Sequence, residues 1–184
     1  MRKNHNNNIN GIGNCLWIAL LTLFVGCDFS SDPNDYLKIE EVRTQLAFDI
    51  PSYSNFEEVK EFLNLRDDQV IVLEDNKILR TSYRPQFNVF TIKIENLSIE
   101  GYQGDLRLSF LNDRLQATWF YPEDVKNFLD LLNLDRTALE SRQGVMKKPF
   151  TRMWIYKDFQ DKTYVGWEDV RLTQQNMDWI TRYS

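Results

Sequence analysis

Residues 105–121 constrain the fold more than any other stretch of the chain. On either side of Asn112-Asp113, large apolar residues alternate with polar or small ones. In a β-strand successive side chains point to opposite faces, so a period of two marks a strand with one buried face. Asn and Asp tolerate the left-handed backbone that a two-residue hairpin turn requires. A loop at Asn112-Asp113 would set Phe110 opposite Leu115, Leu108 opposite Ala117 and Leu106 opposite Trp119. All six would then share one face. This register places Trp119 inward and Phe120 outward.

A second hairpin is expected over residues 152–168, with a loop at Gln160-Asp161 that pairs Tyr156 with Val165 and Trp154 with Trp167. Residues 69–73 and 77–82 flank a turn-like Asp75-Asn76, and residues 88–95 alternate Phe90, Ile92 and Ile94 against Val89, Thr91 and Lys93. Helical spacing appears in three places. Residues 55–65 carry Phe56, Val59, Phe62 and Leu63 on one side, after a cap at Ser54 or Asn55. Residues 122–134 place Pro122 in a first turn with Glu123 and Asp124 beside it, and Val125, Phe128, Leu129 and Leu132 form the apolar face. Residues 135–143 prolong that helix or begin another. Residues 173–183 suggest a last helix that packs through Met177, Trp179 and Ile180. The expected fold class is α+β, with antiparallel β-hairpins forming a sheet and two or three amphipathic helices packed on it.

Residues 56–65 and 122–131 match at six of ten positions when offset by 66, among them Val59/Val125, Phe62/Phe128 and Leu63/Leu129. Duplication of a helix-plus-strands unit and a chance match between two amphipathic helices both account for this.

The N-terminus has a different character. Arg2 and Lys3 give a positive start, and residues 15–26 (CLWIALLTLFVG) form an apolar run that ends at Cys27. A core of about 7 to 15 apolar residues is the pattern of an export signal and is too short for a stable membrane span. Phe24-Val25-Gly26-Cys27 resembles the lipobox of bacterial lipoproteins, in which the signal is removed before the Cys and the sulfur receives a diacylglycerol. The resemblance implies a signal peptide over residues 1–26, a lipidated Cys27 with a tether over residues 27–35, and one globular domain over residues 36–184. Asp28 resembles the inner-membrane retention signal of enteric bacterial lipoproteins. The expected location is therefore the cell envelope, on the periplasmic face of the inner membrane where that sorting rule applies. At about 3.5 Å per extended residue, residues 29–35 reach only some 25 Å from the bilayer.

Several chemistries drop out. The only His is His5 and the only Cys residues are Cys15 and Cys27. A domain that starts at the lipidated Cys27 has neither imidazole nor free thiol, so Ser-His and Cys-His nucleophilic sites, disulfides and His or Cys zinc sites are excluded. Without Arg2 and Lys3, the 22 basic residues fall to 20 against 27 acidic ones, a net charge of −7. Such a domain has no general attraction to nucleic acid. Gly101 and Gly104 lack the residues of a phosphate loop, and calcium-loop spacing is missing, so no cofactor and no metal are expected.

Glu123/Asp124, Asp158/Asp161 and Glu168/Asp169 are the carboxylate pairs from which an acid and a base could be drawn; solvated turns and helix starts explain the same residues. The aromatic residues Trp119, Phe120, Tyr121, Trp154, Tyr156, Phe159, Tyr164, Trp167, Trp179 and Tyr183 either complete a core or form a binding face, with Phe120 and Tyr121 the expected exposed members. The resulting expectation is a membrane-tethered, non-enzymatic binding or accessory module. It would contact the membrane through lipid on Cys27 and bind an envelope partner. The alternatives are a carboxylate-based glycan hydrolase and an envelope immunity or inhibitor protein.

Overall fold

A computed structural model describes residues 38, 40, 42–133, 136–140 and 144–184. All belong to the unit Pro33–Ser184. The signal, Cys27, Asp28 and the tether lie outside the described residues. The fold is α+β, built on one antiparallel sheet of seven strands in the order β1-β2-β3-β4-β7-β6-β5. The strands are β1 (Val70–Ile78), β2 (Phe87–Ile99), β3 (Tyr102–Leu111), β4 (Arg114–Pro122), β5 (Val145–Lys148), β6 (Thr151–Lys157) and β7 (Thr163–Asp169). Each half is a meander, β1 to β4 and β5 to β7, and the halves join where β4 pairs with β7. The helices are α1 (Phe56–Phe62), α2 (Val125–Leu131), α3 (Arg136–Leu139) and α4 (Val170–Tyr183). Among the described residues no helix is long and apolar enough to cross a membrane.

The β3–β4 turn lies at Asn112-Asp113 as expected, with φ of 48° and 61° at the two residues. Positive φ at both is the hairpin turn whose twist matches the strands. Asn112 also ties the turn to β2: its N–H donates to Asn88 O and its Oδ1 accepts from Asn88 N, both at 2.8 Å.

Beyond the first pair the register departs from plain alternation. Phe110 faces Leu115, but Ser109 faces Ala117, so Gln116 is an extra residue on β4. This β-bulge shifts every later side chain to the other face. Leu106 therefore pairs with Phe120, and Arg107 with Trp119. Phe120, expected outward, is fully buried, while Trp119, expected inward, is half-buried on the opposite face.

The second hairpin also differs from expectation. Its loop runs over five residues, 158–162, because the Asp158 carboxylate accepts from Gln160 N and Lys162 N and closes a wider turn. The register then sets Tyr156 against Tyr164, Trp154 against Gly166 and Met153 against Trp167. Asp75-Asn76 is no turn: β1 runs straight through it, with an extra residue at Leu73. Pro122 closes β4, and α2 starts later, with Asp124 as its cap.

α1 begins with the expected Asn55 cap, closed reciprocally by Glu58. Val59 is buried and Phe56 meets Phe90 and Phe110 edge-on, but Phe62 is exposed. In α4, Trp179 is buried, stacks on Phe87 at 4.1 Å and donates to Pro85 O, whereas Met177 and Ile180 are exposed. The caps Asn55 and Asp124 are 69 residues apart, so the match at offset 66 puts α1 three residues out of phase with α2. The six shared positions are not structurally equivalent, which favours a chance match. The main core gathers Ile92, Ile94, Leu106, Leu108, Phe110, Leu115 and Phe120 with Ile155, Val165 and Trp167.

Candidate functional site

A cavity with an aromatic lining lies where the segment before α1 returns to the sheet. Residues Ala47–Asp49 form a 3-10 turn in which Phe48 has φ 54° and ψ 36°, and Asp49 has φ 57°. L-residues pay roughly 1–2 kcal/mol in this left-handed region, so surrounding contacts must hold it. Ala47 N donates to the buried Thr118 hydroxyl at 3.2 Å, Leu46 N donates to Ile50 O at 2.9 Å, and the Phe48 ring meets Phe120 edge-on at 4.9 Å.

Further along the same segment, Ser52 donates to Asp169 Oδ2 at 2.8 Å, and Asp169 is fully buried against Arg171. Arg171 in turn donates to Val42 O at 2.9 Å. Tyr53 is buried between the Arg114 and Arg171 guanidinium groups, at 5.8 and 5.1 Å from its ring. Burial first, and then the Asp169 charge, pushes its hydroxyl up to about 12, with Arg171 opposing.

This pinned segment walls a cavity of about 310 Å³. Four rings form a continuous arc around it. Phe48 lies 6.1 Å from Tyr102, Tyr102 stands edge-on to Phe128 at 4.9 Å, and Phe128 stands edge-on to Trp167 at 6.4 Å. Leu46, Leu132 and Met153 complete the apolar lining. Two carboxylates, Asp49 and Glu100, stand at the cavity and are exposed to solvent. Glu100 sits with Gly101 in the β2–β3 turn, at φ 52° and 85°. Three lining residues thus hold a left-handed backbone. Lys148 Nζ lies 3.9 Å from Asp49 Oδ1.

A second aromatic group occupies the other face of the sheet. One cross-strand row runs Lys93, Arg107, Trp119, Gly166, Trp154. A Cβ on Gly166 would lie 2.5 Å from Trp154 Cε2, so the indole lies directly on the glycine. Arg107 stacks on Tyr121 at 4.5 Å, and Tyr121 meets Tyr164 at 5.2 Å. Burial raises both phenols from their ordinary values. Tyr121 is half-buried here, whereas Phe120 lies in the core and offers no surface.

The carboxylate pairs have local partners instead of a common cleft. Asp124 caps α2 through Asn127 N, Asp158 closes its loop, and Asp161 pairs with Lys157 at 2.9 Å. Glu168 binds Arg152 and accepts from Thr173 at 2.7 Å, while Asp169 holds Arg171 and Ser52. Glu123 is exposed. Among the described residues no group of three or more His, Cys, Asp or Glu side chains is placed to hold a metal ion.

Sequence reasoning missed Phe48, Asp49, Glu100 and Tyr102 altogether. No periodicity marks them, because they sit in a strained turn, a hairpin tip and a strand start; Phe128 was visible only on the apolar face of its helix, and Trp167 as one of the aromatic residues of a core or a binding face. The chain matches no protein-family model, and no curated protein matches it in sequence.

Proposed function

We propose that the protein is a bacterial lipoprotein, anchored through lipid on Cys27, whose globular domain is a non-enzymatic binding module on the periplasmic side of the envelope. Export and anchoring rest on residues 1–28: a positive start, a 12-residue apolar run, the lipobox-like end and Asp28. In this reading α1, α2 and α4 lie packed on the sheet, which the ring contacts of Phe56, Phe128 and Trp179 support.

The observation that carries the binding role is the cavity of about 310 Å³ bounded by Phe48, Tyr102, Phe128 and Trp167. Ligand sites are concave and combine apolar walls with polar groups that orient the ligand, and this cavity joins aromatic and aliphatic side chains to Asp49 and Glu100. It is at the small end of such sites, which suits a compact ligand or one protruding group of a larger partner. A tether of some 25 Å would hold the domain near the membrane surface.

Fractionation and intact mass of the full chain test the anchor. The wild-type protein is expected in membranes with added acyl mass. Cys27→Ser should carry no acyl mass and leave the chain either uncleaved or released from membranes. A wild-type protein recovered soluble and without acyl mass would remove the lipoprotein reading.

A further inference from the structure

Resting on the binding role above, we propose that the cavity recognises a small organic ammonium ion, a compact cation with apolar substituents and no neighbouring anionic group. Two independent features point there. The first is the ring arc. Phe48 and Tyr102, both half-buried, line the cavity together with the buried Phe128 and Trp167, and aromatic faces carry the negative part of the ring quadrupole, which attracts a cation that has left bulk water. An alkylated ammonium suits such walls best, since its alkyl groups meet the apolar lining while its charge meets the rings.

The second feature is the placement of charge. Asp49 and Glu100 come from separate elements, the 3-10 turn and the β2–β3 hairpin tip, and both backbones are held in a left-handed conformation that brings them to this cavity. Lys148 stands 3.9 Å from Asp49, and both side chains are solvent-exposed, so this contact holds Asp49 only weakly. The result is a partly aromatic cavity edged by two carboxylates against one lysine, a net negative charge that disfavours a phosphate or carboxylate attached to the ligand. A phospholipid head group, whose ammonium is two carbons from a phosphate, would therefore bind less well than a free alkylammonium.

Calorimetric titration of the lipidated protein in neutral detergent tests this with three probes: choline, the uncharged isostere 3,3-dimethylbutan-1-ol, and phosphocholine. Choline should bind about tenfold more tightly than the isostere, a ratio in the range that cation–π attraction and a nearby carboxylate supply. It should also bind more tightly than phosphocholine. The double variant Asp49→Asn/Glu100→Gln should bind the isostere as before and lose most of the preference for choline; an unchanged melting temperature would show that it remains folded.

Equal affinity for choline and the isostere would overturn the ammonium proposal while leaving a small-ligand pocket in place. Phosphocholine binding more tightly than choline would overturn the choice of a free cation over a lipid head group. No binding of choline or the isostere at millimolar concentration would remove the proposal and the cavity's binding role together.

Discussion

The two faces of the sheet use the same residue types for different ends. On one face, aromatic and aliphatic side chains meet each other: Phe110, Phe120, Phe128 and Trp167 lie among Ile92, Leu106 and Val165 with almost no exposure. On the other, Trp119, Trp154, Tyr121 and Tyr164 are interleaved with Arg107, Lys93 and Gly166 and stay half open to solvent. A ring's contribution thus depends on what stands opposite it. Facing other apolar groups it fills the core; facing a glycine or a guanidinium it lies flat and keeps a polar edge in water.

The largest test of this contrast is paired truncation of adjacent residues. Phe120→Ala should destabilise the domain by about 3 to 5 kcal/mol, as large core truncations do. Trp119→Ala should cost clearly less in the same denaturant titration. Equal losses would show that the two faces do not differ in packing as described.

A smaller effect is expected from adding atoms to the open face. Gly166→Val would place side-chain carbon where the Trp154 indole now lies, and overpacking of this kind costs roughly 1 to 3 kcal/mol. Tryptophan fluorescence should shift as the indole is lifted towards solvent. An unchanged spectrum and stability would mean that Trp154 does not rest on the strand.

The smallest and most graded test is alkaline titration. Tyr53 keeps its proton to about 12, against an ordinary value of 10.0, and Tyr121 and Tyr164 are raised in the same sense. The unfolded chain releases these protons first. Their contribution to stability is therefore complete below about pH 10 and falls between about pH 10 and pH 12. Ultraviolet phenolate absorbance should show Tyr53 ionising last, after the open-face pair. Ionisation of all three near pH 10 would contradict the burial of Tyr53.

Periodicity made much of the architecture legible. The Asn112-Asp113 turn, the Asn55-capped helix, the alternation of Ile92 and Ile94 and the antiparallel class all follow from local chemistry that neighbouring residues supply. What stayed hidden was set by distant contacts. The extra residue at Gln116 follows no alternation rule, and the wide loop closed by Asp158 depends on side-chain geometry. The continuity of β1 through Asp75-Asn76 comes from pairing with β2, which overrides their preference for turns. The cavity was the least visible feature, because Phe48 and Glu100 are brought together from opposite ends of a 53-residue stretch.

The bulge on β4 has one more consequence, which concerns chain length and not side-chain chemistry. Removing Gln116 alone would restore plain alternation between the Asn112-Asp113 turn and Pro122. Every side chain from Ala117 onward would then have to cross the sheet, or the turn would have to slip by one residue to prevent it. A single deletion at this point would exchange the places of Trp119 and Phe120 without altering either, and with them the wall on which Phe48 and the cavity rest. The count of residues in β4 is therefore as strong a constraint on this protein's descent as the identity of any one of them, and homologues should tolerate substitutions in this strand more readily than insertions or losses.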